Sequence, residues 1–286
     1  MELPFHVYDV FTDTPFTGNP LAIVEEAGGL TTAQMQTIAR EFNLSETIFV
    51  QPPEDPAHTA RVRIFFPTAE IDFAGHPTIG CALHLAERLG LDHVVLGENA
   101  GLVPVEITDG VATLSAPVLP HPHGPDCDPG LAARAVDLDA LGFDNHSPAV
   151  FAGGPAFVYL PIADRAALRR ARPIEPYWSE LMAACDVDSA YLYTRSAEGY
   201  DARMFSPTAG IPEDPATGSA SAILAAQLLA SGALPEGDTQ LTLTQGEDMG
   251  RLSRIGFEAQ VTNGALTRVR ISGRAVQISH GMIRVP

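Results

Sequence analysis

Gly75-His76-Pro77-Thr78 stands just ahead of an apolar stretch, in the run FAGHPTIGCALHL from Phe73 to Leu85. A histidine at such a corner can ligate a metal, exchange protons near neutral pH or donate to a bound group. The same corner can also be an anion cradle or a well-capped helix start. Two carboxylates sit in comparable surroundings. Glu46 opens the apolar run SETIFV, where little water favours a carboxyl that takes and returns a proton. Asp214 precedes PATGSASAIL, a second turn rich in Gly, Pro and hydroxyl side chains. Each group also has a plain structural reading. Glu46 can close a loop, His76 can bond a loop carbonyl, and Asp214, Thr78, Thr217 or Ser219 can cap a helix.

The two turns are related by an internal repeat. Arg63-Ile-Phe-Phe-Pro-Thr-Ala-Glu-Ile71 and Arg203-Met-Phe-Ser-Pro-Thr-Ala-Gly-Ile211 agree at six of nine positions, at an offset of 140. A period that long means duplicated domains rather than a solenoid. Helix patterns precede both copies, over Thr31–Phe42 and Glu175–Cys185, followed by short apolar strands at Thr47–Val50 and Ala190–Tyr193. Helices at Thr78–Leu89 and Gly218–Ala230 follow them. The second, SASAILAAQLLA, lacks a polar face and must be buried. Hairpin turns are expected at Asp109-Gly110 and Asn263-Gly264. Few strand–helix–strand units are evident, and no G-x-G-x-x-G follows a first strand, which disfavours a Rossmann sheet. The expected fold is α+β, with two pseudo-symmetric domains, each a mostly antiparallel, barrel-like sheet around a central helix. The proline-dense Pro117–Gly130 reads as the linker, between an N-terminal domain at 1–118 and a second at 119–264.

The offset sets Ala74–Pro77 opposite Asp214–Thr217. The first turn of a helix leaves N–H groups unpaired and carries partial positive charge. Two such starts facing each other across a domain interface would hold a small anion such as a carboxylate. The formal net charge of −18 makes local donors necessary for an acidic substrate, and argues against nucleic acid and anionic membrane as partners. Three widely spaced cysteines and a strand-like N-terminus without a basic region point to a cytoplasmic protein. His121, His123 and Cys127 share the linker, but no fourth ligand is close in sequence, so no metal is expected there. Cys81 lies beyond the first helical turn and reads as a small core residue.

FTGNPLAIV (Phe16–Val24), NLSETIFV (Asn43–Val50), RIFFPTAEIDFAGHPTIG (Arg63–Gly80) and EDPATGSASAIL (Glu213–Leu224) together resemble the PhzF family of phenazine-biosynthesis isomerase-like proteins. The resemblance implies a fold similar to diaminopimelate epimerase, with the last strands, 265–286, returning to the first domain. It implies an acid/base carboxylate at Glu46. Other family site positions fall on Asn19, Ser45, Gly75, His76, Asp214, Thr217, Gly218 and Ser219. The function so implied is cofactor-independent proton transfer on a small carboxylated metabolite, with Glu46, His76 and Asp214 as the catalytic set and the rest binding substrate. A homodimer is expected by the same resemblance. Two other readings stay open: a non-catalytic metabolite-binding or sensor protein, and an amino-acid epimerase. The second is disfavoured because Gly75-His76 and Ala216-Thr217 stand where related epimerases carry paired thiols.

Overall fold

A computed structural model describes all residues, 1–286. The chain forms two compact units. Unit 1 comprises Met1–Ser115, Arg251–Arg254 and Ser272–Pro286; unit 2 comprises Ala116–Gly250 and Ile255–Ile271.

In unit 1 the chain runs β1 (Glu2–Val10), β2 (Asn19–Val24), α1 (Thr32–Phe42), β3 (Glu46–Gln51), β4 (Ala60–Phe65), β5 (Glu70–Ile71), α2 (Gly75–Leu89), β6 (His93–Glu98), β7 (Gly101–Thr108) and β8 (Val111–Ser115). Thr31 caps α1 in a reciprocal capping box with Gln34, which fixes where that helix starts. Asp109 and Gly110 adopt φ of 52° and 72° and turn β7 back on β8, as expected of a two-residue hairpin.

Unit 2 repeats the plan. It contains β9 (His121–Pro122), α3 (Pro129–Ala135), β10 (Ala149–Ala152), β11 (Ala156–Pro161), α4 (Arg165–Arg170), α5 (Tyr177–Cys185), β12 (Ala190–Arg195), β13 (Gly199–Ser206), β14 (Ile211–Asp214), α6 (Gly218–Ala230) and β15 (Gly237–Gln245). After it come β16 (Ser253–Thr262) and β17 (Ala265–Gly273), joined by an Asn263-Gly264 turn with φ of 53° and 75°. The final strand, β18 (Ala275–Arg284), pairs antiparallel with β1 along its whole length, from Glu2 opposite Arg284 to Val10 opposite Ala275.

Strand–helix–strand units are more frequent than the sequence suggested. β2 and β3 pair in parallel across α1, and β4 and β6 across α2. In unit 2, β11 and β12 are parallel across α4 and α5, and β13 and β15 across α6. Each crossover hides in the sequence because its strands are only six to nine residues long and flanked by antiparallel hairpins. The stretch read as a bare linker also carries structure: β9 pairs with β10, and Asp128 caps α3.

The central helices are buried as their composition requires. α2 packs against β1, β2, β3 and β6–β8, and α6 against β9, β10 and β11. Gly80 allows α2 to lie close to the sheet. A Cβ there would come within 2.6 Å of Leu21 and 2.7 Å of Val10. A second unit 1 core lies under α1, where Met35, Ile38 and Ala39 meet Phe49 and Phe65. In unit 2 Trp178, Leu181 and Cys185 of α5 pack with Val158, Leu160 and Leu192.

Candidate active site

Unit 1 brings together two of the residues singled out by sequence. Glu46 is the first residue of β3 and lies opposite Leu21 of β2. His76 is in the first turn of α2. Its Nδ1 lies 2.9 Å from Glu46 Oε2. Both groups are withdrawn from water, with 8% of Glu46 and 2% of His76 exposed. The other ring nitrogen, Nε2, is buried and has no hydrogen-bonding partner in the protein. A buried polar atom without a partner costs about 1–3 kcal/mol. An imidazole held by a carboxylate on one nitrogen and unsatisfied on the other is therefore ready for a polar ligand.

The start of α2 differs from the sequence expectation. The helix begins at Gly75, three residues before Thr78, so Gly75, His76 and Pro77 form its first turn. Proline is tolerated there because the N–H it lacks would have had no helical partner. Ala74 is the N-cap residue and supplies no side-chain bond. Thr78 is not a cap. Its hydroxyl lies 2.6 Å from the Ala74 carbonyl and 2.6 Å from Glu98 Oε1. The N–H groups of Gly75 and His76 thus head a helix that no side chain caps. Asn19 is fully buried at the start of β2, two residues before the Leu21 that pairs with Glu46, and Ser45 is half-buried immediately before Glu46.

Unit 2 holds the second group. Asp214 ends β14 and Thr217 is the N-cap residue of α6. Thr217 does not cap the helix with its side chain: its hydroxyl donates instead to Asp214 Oδ2, at 2.5 Å. Gln245, at the end of β15, ties this corner together. Its Oε1 accepts the Thr217 N–H at 3.2 Å, and its Nε2 donates to the Asp214 carbonyl at 2.7 Å and to Thr217 Oγ1 at 3.0 Å. Gly218 and Ser219 follow as the first two residues of α6.

Counted from the N-cap residues, the helix starts correspond at an offset of 143, not 140, because the second loop is longer. Gly75 then matches Gly218, His76 matches Ser219, and Thr78 matches Ser221. The hydroxyl of Ser221 bonds the Thr217 carbonyl at 2.8 Å, just as Thr78 bonds that of Ala74.

A model of the family described as phenazine biosynthesis-like protein matches residues 8–281. The chain belongs to that family. It is 41% identical to an uncharacterised isomerase of Mesorhizobium japonicum, over 97% of each chain. It is 33% identical to trans-2,3-dihydro-3-hydroxyanthranilate isomerase of Pseudomonas aeruginosa, over 96% of this chain and 97% of the relative. Among solved structures, a phenazine biosynthesis protein of the PhzF family from Bacillus anthracis superposes with a TM-score of 0.88 at 24% identity, over the whole of both chains. This family member is an enzyme of the isomerase class, with a fold of two like units built around central helices.

Two polar residues of this PhzF-family chain escaped sequence reasoning. Gln245 is one and Glu98 the other, and they correspond. In unit 2 Ala202 of β13 pairs with Gln245 of β15; in unit 1 Ala60 and Arg61 of β4 pair with Leu96 and Gly97 of β6, one step before Glu98. Both side chains reach back from the end of a strand to a hydroxyl at the start of the central helix. Burial pushes the pKa of Glu98 up to about 8, against the opposing hydrogen bond from Thr78 and the charge of Arg61. The only sequence signal was a polar residue closing an apolar strand, which is commonplace. Cys81 is fully buried in α2, and burial raises its thiol pKa further. Cys127 packs into the unit 2 core while His121 is exposed.

Proposed function

We propose that this isomerase moves a proton on a small carboxylated metabolite by general acid/base catalysis, without a cofactor, with Glu46 as the group that takes and returns the proton. The observation that carries the reading is the buried Glu46–His76 hydrogen bond of 2.9 Å with His76 Nε2 left unpartnered. Glu46 removes a proton from carbon and redelivers it to another atom of the conjugated system. His76 holds the carboxyl in place through Nδ1 and offers Nε2 to a polar group of the substrate. The uncapped N–H groups of Gly75 and His76 favour a carboxylate or the enolate-like charge that develops as the proton leaves. Ser45 precedes Glu46 in sequence, Asn19 starts the neighbouring strand β2, and both act in binding.

Unit 2 contributes a second anion-favouring helix start, at Thr217, Gly218 and Ser219, with Asp214 as a hydrogen-bond acceptor for an amine or hydroxyl. That both starts serve one substrate is part of the proposal and rests on the repeat and on the family resemblance. The relative from Pseudomonas aeruginosa is named for a dihydro-hydroxyanthranilate, and a cyclic amino-carboxylate of that kind is the first substrate class to try. A two-thiol epimerase has no support, since the cysteine of α2 is sealed in the core.

The test is proton exchange in deuterated water with a panel of cyclic and amino-carboxylates. Label should enter at carbon, and Glu46→Gln should abolish the incorporation. Tight binding of a panel member without any label would overturn the reading in favour of a sensor. Label at an amino-acid α-carbon would overturn it in favour of an epimerase.

A further inference from the structure

Three side chains in unit 1 converge away from the Glu46–His76 pair. His6 lies on β1, Glu25 directly after β2, and His84 eight residues along α2 from His76, about 12 Å up the helix axis. His84 Nε2 is 2.7 Å and His6 Nε2 is 3.3 Å from the same oxygen, Glu25 Oε1, and all three atoms lie within 4.8 Å of one another. We propose that His6, Glu25 and His84 form a binding site for a divalent transition-metal ion of the zinc type.

Each of the three groups is held on its far side by a separate partner. His84 Nδ1 is 3.1 Å from the Tyr8 hydroxyl. His6 Nδ1 is 2.9 Å from the Gln277 side-chain amide. Glu25 Oε2 is paired with Arg88. Each candidate ligand is thus gripped from behind by a different residue, on β1, β18 and α2, and presents one remaining atom to a common point. Outer partners of this kind orient imidazole and carboxylate ligands in metal sites. Two imidazole nitrogens and one carboxylate oxygen suit zinc and its neighbours rather than magnesium or calcium. Donor atoms 2.0–2.1 Å from a tetrahedral centre stand roughly 3.3 Å apart. The His6–Glu25 separation already meets this, and the His84–Glu25 separation widens once a proton no longer bridges it.

Ligation needs each Nε2 lone pair free. For His84 the proton moves to Nδ1, where the Tyr8 oxygen accepts it. For His6 the Gln277 amide turns to present its oxygen to Nδ1–H. No net charge is created on either ring. His84 and Glu25 are buried, but His6 is partly exposed, so an ion can enter from the His6 side and keep water in its fourth position.

The full-length protein, stripped with chelator and dialysed, is titrated with Zn²⁺ by calorimetry and with Co²⁺ by visible absorption. One ion per chain should bind, with the intense d–d bands of a tetrahedral Co²⁺ centre. His84→Gln and His6→Gln should each weaken binding by a hundredfold or more, and Tyr8→Phe by about tenfold. His121→Gln and Glu46→Gln should bind as the parent does. Because His6 is partly exposed, His6→Gln tests the site even if His84→Gln fails to fold. Absence of stoichiometric binding, retention in His6→Gln, or loss in His121→Gln would each overturn the proposal. Retention in Glu46→Gln keeps it separate from the acid/base reading.

Discussion

Thr78 has one hydroxyl proton and two oxygens 2.6 Å away, the Ala74 carbonyl and Glu98 Oε1. The single proton of Thr78 serves one of these oxygens at a time, and both contacts are satisfied together when Glu98 is protonated and donates to Thr78. In that state Glu98 is the neutral acid, in the direction in which burial pushes its pKa, up to about 8. It becomes the isostere of Gln245, whose amide donates to the hydroxyl of Thr217, the N-cap residue of α6, one turn before the Ser221 that matches Thr78. The sign of the pH effect follows. The folded state holds the Glu98 proton up to about pH 8, the unfolded chain only to about 4.5. Stability from this group is complete below the lower value and is lost as pH rises towards the upper one. Glu98→Gln should flatten that loss, by a few kcal/mol at most at the alkaline end. Urea midpoints at several pH values measure it; an unchanged slope would mean that Glu98 is ionised in the fold. Asp214 allows a related test, since its carboxyl accepts a hydrogen bond from the Thr217 hydroxyl. Gln245→Glu removes two donors beside that carboxylate and should destabilise unit 2, more at pH 8 than at pH 5. His76→Gln keeps a donor for Glu46 but cannot exchange a proton. A fall of 10²–10⁴ in kcat would make His76 a proton carrier; a change confined to KM would make it a binding group.

At the scale of elements, the start of α2 separates what sequence can show from what it cannot. The sequence pattern set its start at Thr78, yet proline is compatible with the first turn and the helix begins at Gly75. The Thr31 cap of α1 was legible because capping is local; the Gln245 and Glu98 braces were not, because they come from strands 28 and 20 residues away, respectively. Gly80 is a further case of packing beyond local propensity. Replacing glycine by alanine inside a helix favours the helix by about 1 kcal/mol. Here the new methyl would meet Leu21 at 2.6 Å and Val10 at 2.7 Å. Overpacking in a tight core costs about 1–3 kcal/mol, so the net effect of Gly80→Ala should be destabilising. A lowered urea midpoint with unchanged helical circular dichroism is the expected result, whereas a raised one would show that Leu21 yields without strain.

For the whole molecule, the duplication was readable where a local motif keeps its residues in step, as in Arg63–Ile71 and Arg203–Ile211. It faded where loops changed length: the offset grows from 140 in that motif to 143 at the helix starts and 147 between Glu98 and Gln245. The metal-site candidates were illegible for the same kind of reason. His6, Glu25 and His84 meet only after three elements are assembled. The last strand is the longest-range part of that assembly. β18 supplies one entire edge of β1, whose other edge is held by β2. Ile283 and Val285 also pack against the core built from Leu3, Met35 and Phe49. Removing residues 275–286 would strip β1 of a full row of hydrogen bonds and open that core to water, for which an edge strand of mixed polarity has no substitute. The shortened chain should lose the cooperative unfolding of unit 1. Ile283→Ala is the milder form of the same test. The side chain is only partly buried, so its truncation should cost less than the 2–5 kcal/mol of a fully buried isoleucine, in a protein that still folds. Thermal unfolding of both variants decides the point: if the shortened chain melts as the parent does, β1 is held by β2 alone and the closing strand is dispensable.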